Sequence, residues 1–231
     1  MRRAVSLLLF ALTLLLATGL VLVYSASSTV NPAHPNAFVI RQAISLALGI
    51  GAAWLAARID YRVWARLDVL LVVAGLVLAG TTAVFLFEAR NGSHRWIDFG
   101  FYQLQPSEFA KIGILMVFAA WFVRVGPRSS SLTRGFLIPG AILGILTAPI
   151  LLAPDFGATA VILAIAGTIF LAAGTRISHL GIGLAAAVSG LAVLILGDPH
   201  RLNRVKDFWQ GIVGEGGAQA HQTVQSINAF V

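Results

Sequence analysis

The sequence predicts an all-α, polytopic membrane protein with seven transmembrane helices. Of its 231 residues 58% are hydrophobic and only 11% are charged, and the mean hydropathy of +0.87 lies outside the range of soluble domains. The apolar residues come in blocks of about 20, the length that spans a hydrocarbon core of ~30 Å. The charged residues gather in the connections between blocks, with arginine concentrated in alternate connections. Cysteine is absent, which excludes disulfides and thiolate metal sites. A pI near 11.0 would suit a nucleic-acid partner. No basic run with interleaved aromatics supports one, and membrane sidedness accounts for the charge better.

The elements follow in order. Met1-Arg2-Arg3 precedes an apolar run from Ala4 to Val23. That run is longer than the core of a secretory signal, so it reads as a retained first helix, although Ser25-Ala26-Ser27 resembles a cleavage site. An uncharged loop carries Pro32 and Pro35. The second span covers Phe38 to Ala57, with Arg41 near its end, where a long side chain can snorkel. Arg58, Asp60, Arg62, Arg66 and Asp68 form a short basic turn before the third span, Val69 to Phe87. A polar loop from Glu88 to Gln105 leads to the fourth span, Ser107 to Val123. Arg124, Gly126, Pro127, Arg128 and Arg134 mark the next turn. The fifth span runs from Gly135 to Ala153, and Pro139 and Pro149 are expected to bend it. Pro154-Asp155-Phe156-Gly157 breaks the chain before the sixth span, Ala158 to Ala173. Gly174-Thr175-Arg176 turns it into the seventh, Leu180 to Gly197, and a polar tail fills 198–231.

Placing the N-terminus in the cytoplasm puts nine arginines (2, 3, 58, 62, 66, 124, 128, 134 and 176) on the inner face, against Asp60 and Asp68. On the outer face basic and acidic residues balance, so the net charge of +7 lies entirely on the inner one. This is the positive-inside pattern. The loop ending at Gln105, the Pro154–Gly157 break and the tail then all face outward.

The stretch Asn91–Lys111 is the most polar segment between two apolar runs, and it holds Arg95, Trp96, Asp98, Gln105, Ser107, Glu108 and Lys111. Pro106 suits a first helical position, and Glu108 can accept from the free N–H groups of that turn. Glu108 and Lys111 are three apart, so they share a helix face and can pair. The plain reading is a self-neutralising pair that starts a helix; the sharper one is a pair facing a water-filled cavity, since an ammonium at membrane depth costs ~2.5–3.5 kcal/mol. Asp155 precedes a helix and can cap it, which is compatible with lining a cavity. In the tail, Leu202, Val205, Phe208 and Trp209 recur at helical spacing with Arg201 and Arg204 on another face. That pattern suits an interfacial helix, and the arginine pair suits a lipid-linked phosphate. His34, His94, His179, His200 and His221 show no metal-ligand spacing, and no serine triad or glycine-rich phosphate loop is present.

Taken together these motifs resemble the SEDS family (shape, elongation, division and sporulation proteins), and its cell-division branch more than its elongation branch. The resemblance rests on Tyr24-Ser25-Ala26-Ser27, Asn91-Gly92, Arg95-Trp96-Ile97, Gln105-Pro106-Ser107-Glu108 with Lys111, and Pro154-Asp155-Phe156-Gly157. Arg201, Arg204, Phe208-Trp209, Gln222 and Gln225-Ser226 complete it. It implies a peptidoglycan glycosyltransferase that polymerises lipid II into glycan strands outside the bacterial inner membrane during division. It also implies a penicillin-binding transpeptidase and other division proteins as partners. The family fold has ten transmembrane helices. By resemblance, residues 1–231 form one SEDS-type membrane domain comprising the first seven of them, with 198–231 opening the large extracytoplasmic loop. The family's presumed catalytic aspartate would lie beyond Val231, so no residue of this chain is assigned as the catalytic base. Arg95, Trp96, Gln105, Ser107, Glu108, Lys111, Asp155, Arg201, Arg204, Gln222 and Ser226 are the cavity and substrate candidates, with Glu108 and Lys111 lining a central cavity and Arg95 and Asp155 near its outer mouth. Glu108 is expected to be neutralised by Lys111, and Asp155 to be committed to its helix. No cofactor is identifiable, though a divalent cation on the pyrophosphate is compatible with the chemistry.

Two other classes fit parts of the sequence. A transporter (flippase) for a lipid-linked precursor would also use an intramembrane Glu–Lys pair, but its polar groups should line the full depth of the membrane. A non-catalytic partner-binding protein would need none of the motifs, and a rhodopsin-like receptor would place its N-terminus outside and a Schiff-base lysine in the seventh span. Reporter fusions test the orientation: one after Thr133 is expected to report the cytoplasm and one after Gly216 the outside. The same side for both would overturn it.

Overall fold

Each of the seven predicted blocks is helical. The computed structural model describes residues 2–30, 36–89, 93–100, 102–197, 202, 203 and 206. Asn91, Gly92, Arg201, Arg204, Phe208, Trp209, Gln222, Gln225 and Ser226 fall outside them, as does most of the interfacial helix expected in the tail.

The chain divides into two units, Met1–Trp64 and Ala65–Val231. In the first, α1 (Arg2–Val30) and α2 (Ala37–Arg58) pack on each other, and a single turn, α3 (Tyr61–Trp64), follows. The first helix runs straight through Tyr24-Ser25-Ala26-Ser27 rather than ending at Val23. Both long helices present apolar side chains such as Leu8, Phe10, Ile44 and Leu48 outward, as suits helices whose solvent is lipid.

The second unit comprises α4 (Leu67–Ala83), α5 (Pro106–Val125), α6 (Ile138–Leu152), α7 (Phe156–Ala172) and α8 (Ile177–Leu196). Its centre is α5, which packs against α4, α6 and α7. Ile114 and Phe118 of α5 and Ile162 of α7 are wholly buried. Phe170 meets Phe118 and Phe122 edge-on, with ring centroids 5.3 and 5.0 Å apart, a favourable quadrupole arrangement. Gly113 lets α4 approach: a Cβ there would stand 2.5 Å from a methyl of Val77.

Among the described residues, five helices are long and apolar enough to cross a membrane: Val5–Ser25, Phe38–Arg58, Leu67–Leu86, Pro106–Ser130 and Thr133–Leu152. Two further apolar helices, Phe156–Ala172 and Ile177–Val193, are shorter. The multi-pass class holds, while the full count of seven spans rests on those two.

Two local features depart from expectation. The loop before α5 forms a small antiparallel ribbon, β1 (Ile97–Asp98) with β2 (Gln103–Leu104), so the protein is not purely helical. Asp98 Oδ1 accepts from the Gly100 amide at 2.8 Å and thereby closes the turn, and Gly100 takes a φ of 81°. Pro139, expected to bend the fifth span, sits instead in the first turn of α6, after a π turn at Thr133–Leu137. Proline cannot donate to the Gly135 carbonyl four residues back. The Thr175 hydroxyl donates to that oxygen instead, at 3.1 Å. Pro149 does lie inside α6.

Gly135 admits no side chain, because a Cβ would fall 1.7 Å from the Ser129 carbonyl oxygen. Gly135→Ala is expected to lower the melting midpoint of the detergent-purified protein, by a loss on the order of 1–3 kcal/mol. Gly144→Ala, with nothing within 4 Å, should leave it level or raise it slightly. Equal midpoints for the two variants would refute the close approach.

Candidate functional site

At the N-terminal end of α5 four segments meet: the end of α4, the ribbon loop, the first turn of α5 and the α6–α7 junction. The ribbon is held by an apolar contact, since Ile97, Val84 and Ala153 bury one another. It is also held by the unpaired carbonyls at the end of α6, which need donors. Ser93 Oγ donates to Ala153 O at 2.7 Å, and Arg95 Nη2 donates to Pro154 O. A guanidinium at a helix C-terminus also meets the negative end of the helix dipole.

Asp155 is the hub, with its side chain only 8% exposed. Its Oδ2 accepts from Gln105 Nε2 at 2.9 Å and Ser107 Oγ at 3.0 Å. Its Oδ1 lies 3.9 Å from Arg95 Nη1 and 3.4 Å from the Ala158 amide. Three donors bond the carboxylate, and the Arg95 guanidinium adds an ion pair at longer range. The cap on α7 is thus present but long; the shorter bonds go to the start of α5. Asp155 is committed to two helices and a loop rather than to its own helix alone. Arg95 is fixed further by Ser93, whose Oγ accepts from its Nε at 2.7 Å.

A narrow cleft opens here, with room for about one water in a volume of ≈ 10 Å³. Arg95, Ser107 and Asp155 line it together with Thr81, His94 and Ile150. His94 Nδ1 lies 2.9 Å from Phe87 O. A carbonyl only accepts, so that nitrogen carries the proton.

Of the sequence candidates, the structure brings Arg95, Gln105, Ser107 and Asp155 into one bonded group. Glu108 and Lys111 pair at 2.7 Å, as their spacing predicts, with side chains 55% and 24% exposed. They are not among the residues lining the cleft. Lys111 stands one turn along α5 from Ser107, on the same face. Glu108 spends its carboxylate on Lys111 rather than on capping. Trp96 is 38% exposed and does not line the cleft either. Sequence reasoning missed Ser93, His94 and Thr81. The first two sit beside Arg95 in the polar loop, whereas Thr81 lies in an apolar span with nothing to mark it.

The family model for the FtsW, RodA and SpoVE cell cycle proteins matches residues 5–231. The chain is 34% identical over 223 residues to a probable peptidoglycan glycosyltransferase FtsW of Coxiella burnetii, covering 94% of this chain and 59% of that protein. It is 35% identical over 225 residues to a probable peptidoglycan glycosyltransferase FtsW of Marinobacter nauticus, covering 94% and 55%. The chain therefore spans a little over half the length of these curated relatives. Among solved structures it matches a chain from a peptidoglycan synthase complex, described as coordinating polymerization and crosslinking. That match has a TM-score of 0.64 and 25% identity over 85% of this chain and 57% of the other. The rod shape determining protein RodA of Thermus thermophilus matches with a TM-score of 0.56 and 25% identity, over 77% and 58%.

Asp155→Ala strips Gln105, Ser107 and Arg95 of a shared acceptor. It is expected to cost on the order of 1–3 kcal/mol, the penalty for stranding buried donors, and to lower the melting midpoint measurably. Asp155→Asn keeps one accepting oxygen and should fall between alanine and wild type. No change with alanine would show that the hub does not hold the segments together.

Proposed function

We propose a function from one premise: the chain belongs to the FtsW, RodA and SpoVE family of cell cycle proteins. The whole protein is a peptidoglycan glycosyltransferase of the bacterial plasma membrane. It polymerises lipid II on the extracytoplasmic face, beside a penicillin-binding transpeptidase, with its own N-terminus in the cytoplasm. The names of its relatives support the activity, and its likeness to a peptidoglycan synthase complex supports the partnership.

The observation that carries this reading is the gathering of polar groups at one end of α5. Arg95 is pinned by a carboxylate and two oxygens of neighbouring segments, and Lys111 stands one turn away. In glycan polymerisation a sugar hydroxyl attacks an anomeric carbon and a lipid pyrophosphate departs. That step needs a base for the hydroxyl proton and fixed positive charge for the leaving group. Among the described residues, Arg95 and Lys111 are the positive charges at this end of α5. The base is assigned to no residue here, because the carboxylates of Glu108 and Asp155 are already engaged.

The same geometry disfavours a transporter. From Ile112 to Val123 α5 carries no charged residue, and Ile114, Phe118, Phe122, Ile162 and Phe170 fill the middle of the bundle. A path for a polar headgroup would have to part that core.

The test is glycan synthesis from purified lipid II by the full-length gene product reconstituted with its transpeptidase. Lys111→Ala is expected to reduce synthesis ~10–1,000-fold, the range seen when a charge-stabilising donor is removed. Glu108→Gln combined with Lys111→Met should restore folded yield without restoring synthesis. Recovery of both would make the pair purely structural. Normal synthesis by Lys111→Ala would remove it from the proposed mechanism.

A further inference from the structure

At the far end of α5 three arginines stand on a set of turns closed by direct contact. The chain leaves α5 through a 3-10 turn, Gly126–Ser130, and enters α6 through the π turn Thr133–Leu137. Gly174, Thr175 and Arg176 join α7 to α8. Residues of the three segments meet one another. Gly135 lies against the Ser129 carbonyl so closely that a Cβ would collide with it at 1.7 Å. Thr175 Oγ1 donates to Gly135 O at 3.1 Å. A Cβ on Gly174 would stand 3.6 Å from Ser129 Oγ. Ser129, Gly135 and Thr175 are all buried.

An arginine adjoins each of the three: Arg128 beside Ser129, Arg134 beside Gly135, Arg176 beside Thr175. All three are exposed. Successive Cα atoms lie ~3.8 Å apart, so three long side chains spring from one small patch of backbone. None has a carboxylate partner among the described residues. From Phe109 to Gly197 the only acidic residue is Asp155, which sits at the opposite end of α5, a helix of 20 residues or ~30 Å. Asp68 is already paired with Arg66 at 2.8 Å. Trp121 marks the depth of the patch: its indole Nε1 donates to Arg134 O at 3.1 Å. Tryptophan with one polar bond and an apolar body collects at the level of lipid headgroups.

We propose that Arg128, Arg134 and Arg176 form a binding site for the phosphate of an anionic phospholipid headgroup. Three like charges held together call for a counter-anion, and the planar guanidinium fork fits phosphate oxygens two at a time. Membrane sidedness alone asks only for positive charge, which lysine supplies equally. A phosphate site built on guanidinium geometry is the stronger claim. It is independent of the glycosyltransferase reading and of which leaflet this end faces.

The experiment uses the detergent-purified chain, with lipid retention read by native mass spectrometry and the melting midpoint followed in parallel. Phosphatidylglycerol is expected to be retained and to raise the midpoint; phosphatidylcholine is expected to do neither. A variant with Arg128→Lys, Arg134→Lys and Arg176→Lys keeps the charge and topology. It should melt as wild type in neutral detergent yet lose about tenfold in phosphatidylglycerol retention, the factor that a ~1.4 kcal/mol difference gives. If the triple variant does not fold, each single Arg→Lys variant must show a partial loss. Equal retention by the lysine variants, equal retention of phosphatidylcholine, or no retention by wild type would each overturn the proposal. Stabilisation by millimolar inorganic phosphate equal to that by the lipid would also overturn it, leaving a free-anion site instead.

Discussion

In a helical bundle surrounded by lipid, the backbone groups at helix ends have no water within the hydrocarbon to turn to. They must be satisfied by side chains or lie at the surface. The α6–α7 junction meets this constraint through a single carboxylate and its neighbours. Asp155 caps α7 with one oxygen and draws Gln105 and Ser107 of the α5 start with the other. The preceding carbonyls, Ala153 and Pro154, are supplied by Ser93 and Arg95. The polar loop thus lies where it does because the carbonyls at the end of α6 need donors, which Ser93 and Arg95 supply. The same bonds leave Arg95 about one-third exposed and aimed at a narrow cleft. A structural debt of the bundle and the candidate chemistry of the site are met by the same side chain.

Below this polar end the bundle is closed by packing rather than bonding. Helix association in lipid gains little from the hydrophobic effect and depends on close contact. Gly113 brings α4 onto α5, and three phenylalanines fill the centre where α5 faces α7. A bundle sealed at mid-depth and polar at one end is suited to work at its surface.

Much of this was legible in the sequence. The helices followed from block length, because a bilayer imposes one length on every span. The Glu108–Lys111 pair followed from their spacing, and Pro106 marked the start of α5 as its chemistry demands. The Asp155 cap was legible too, but not its bonds to residues some 50 positions earlier, since local pattern carries no information about partners in another helix. The ribbon was hidden by its brevity: two residues per strand are too few for alternation to show. Its one advance sign was Asp98-Phe99-Gly100, an aspartate placed to bond the amide two residues on. Pro139 misled for a related reason. The sequence shows that the proline lacks a donor but not that Thr175, on another turn, would take its place.

The two ends of α5 use the same residue type in opposite ways. Arg95 is surrounded by acceptors, so its position is set before any ligand arrives, and a preorganised charge costs little to use when negative charge develops beside it. The arginines beside Ser129, Gly135 and Thr175 have backbones locked by contact but guanidiniums without carboxylates. Such groups can turn their planar forks to meet the oxygens of an arriving phosphate at a fluid headgroup layer. The difference follows from the distribution of acid. Asp155 is the only carboxylate in the stretch from Phe109 to Gly197, and it stands at the Arg95 end of α5.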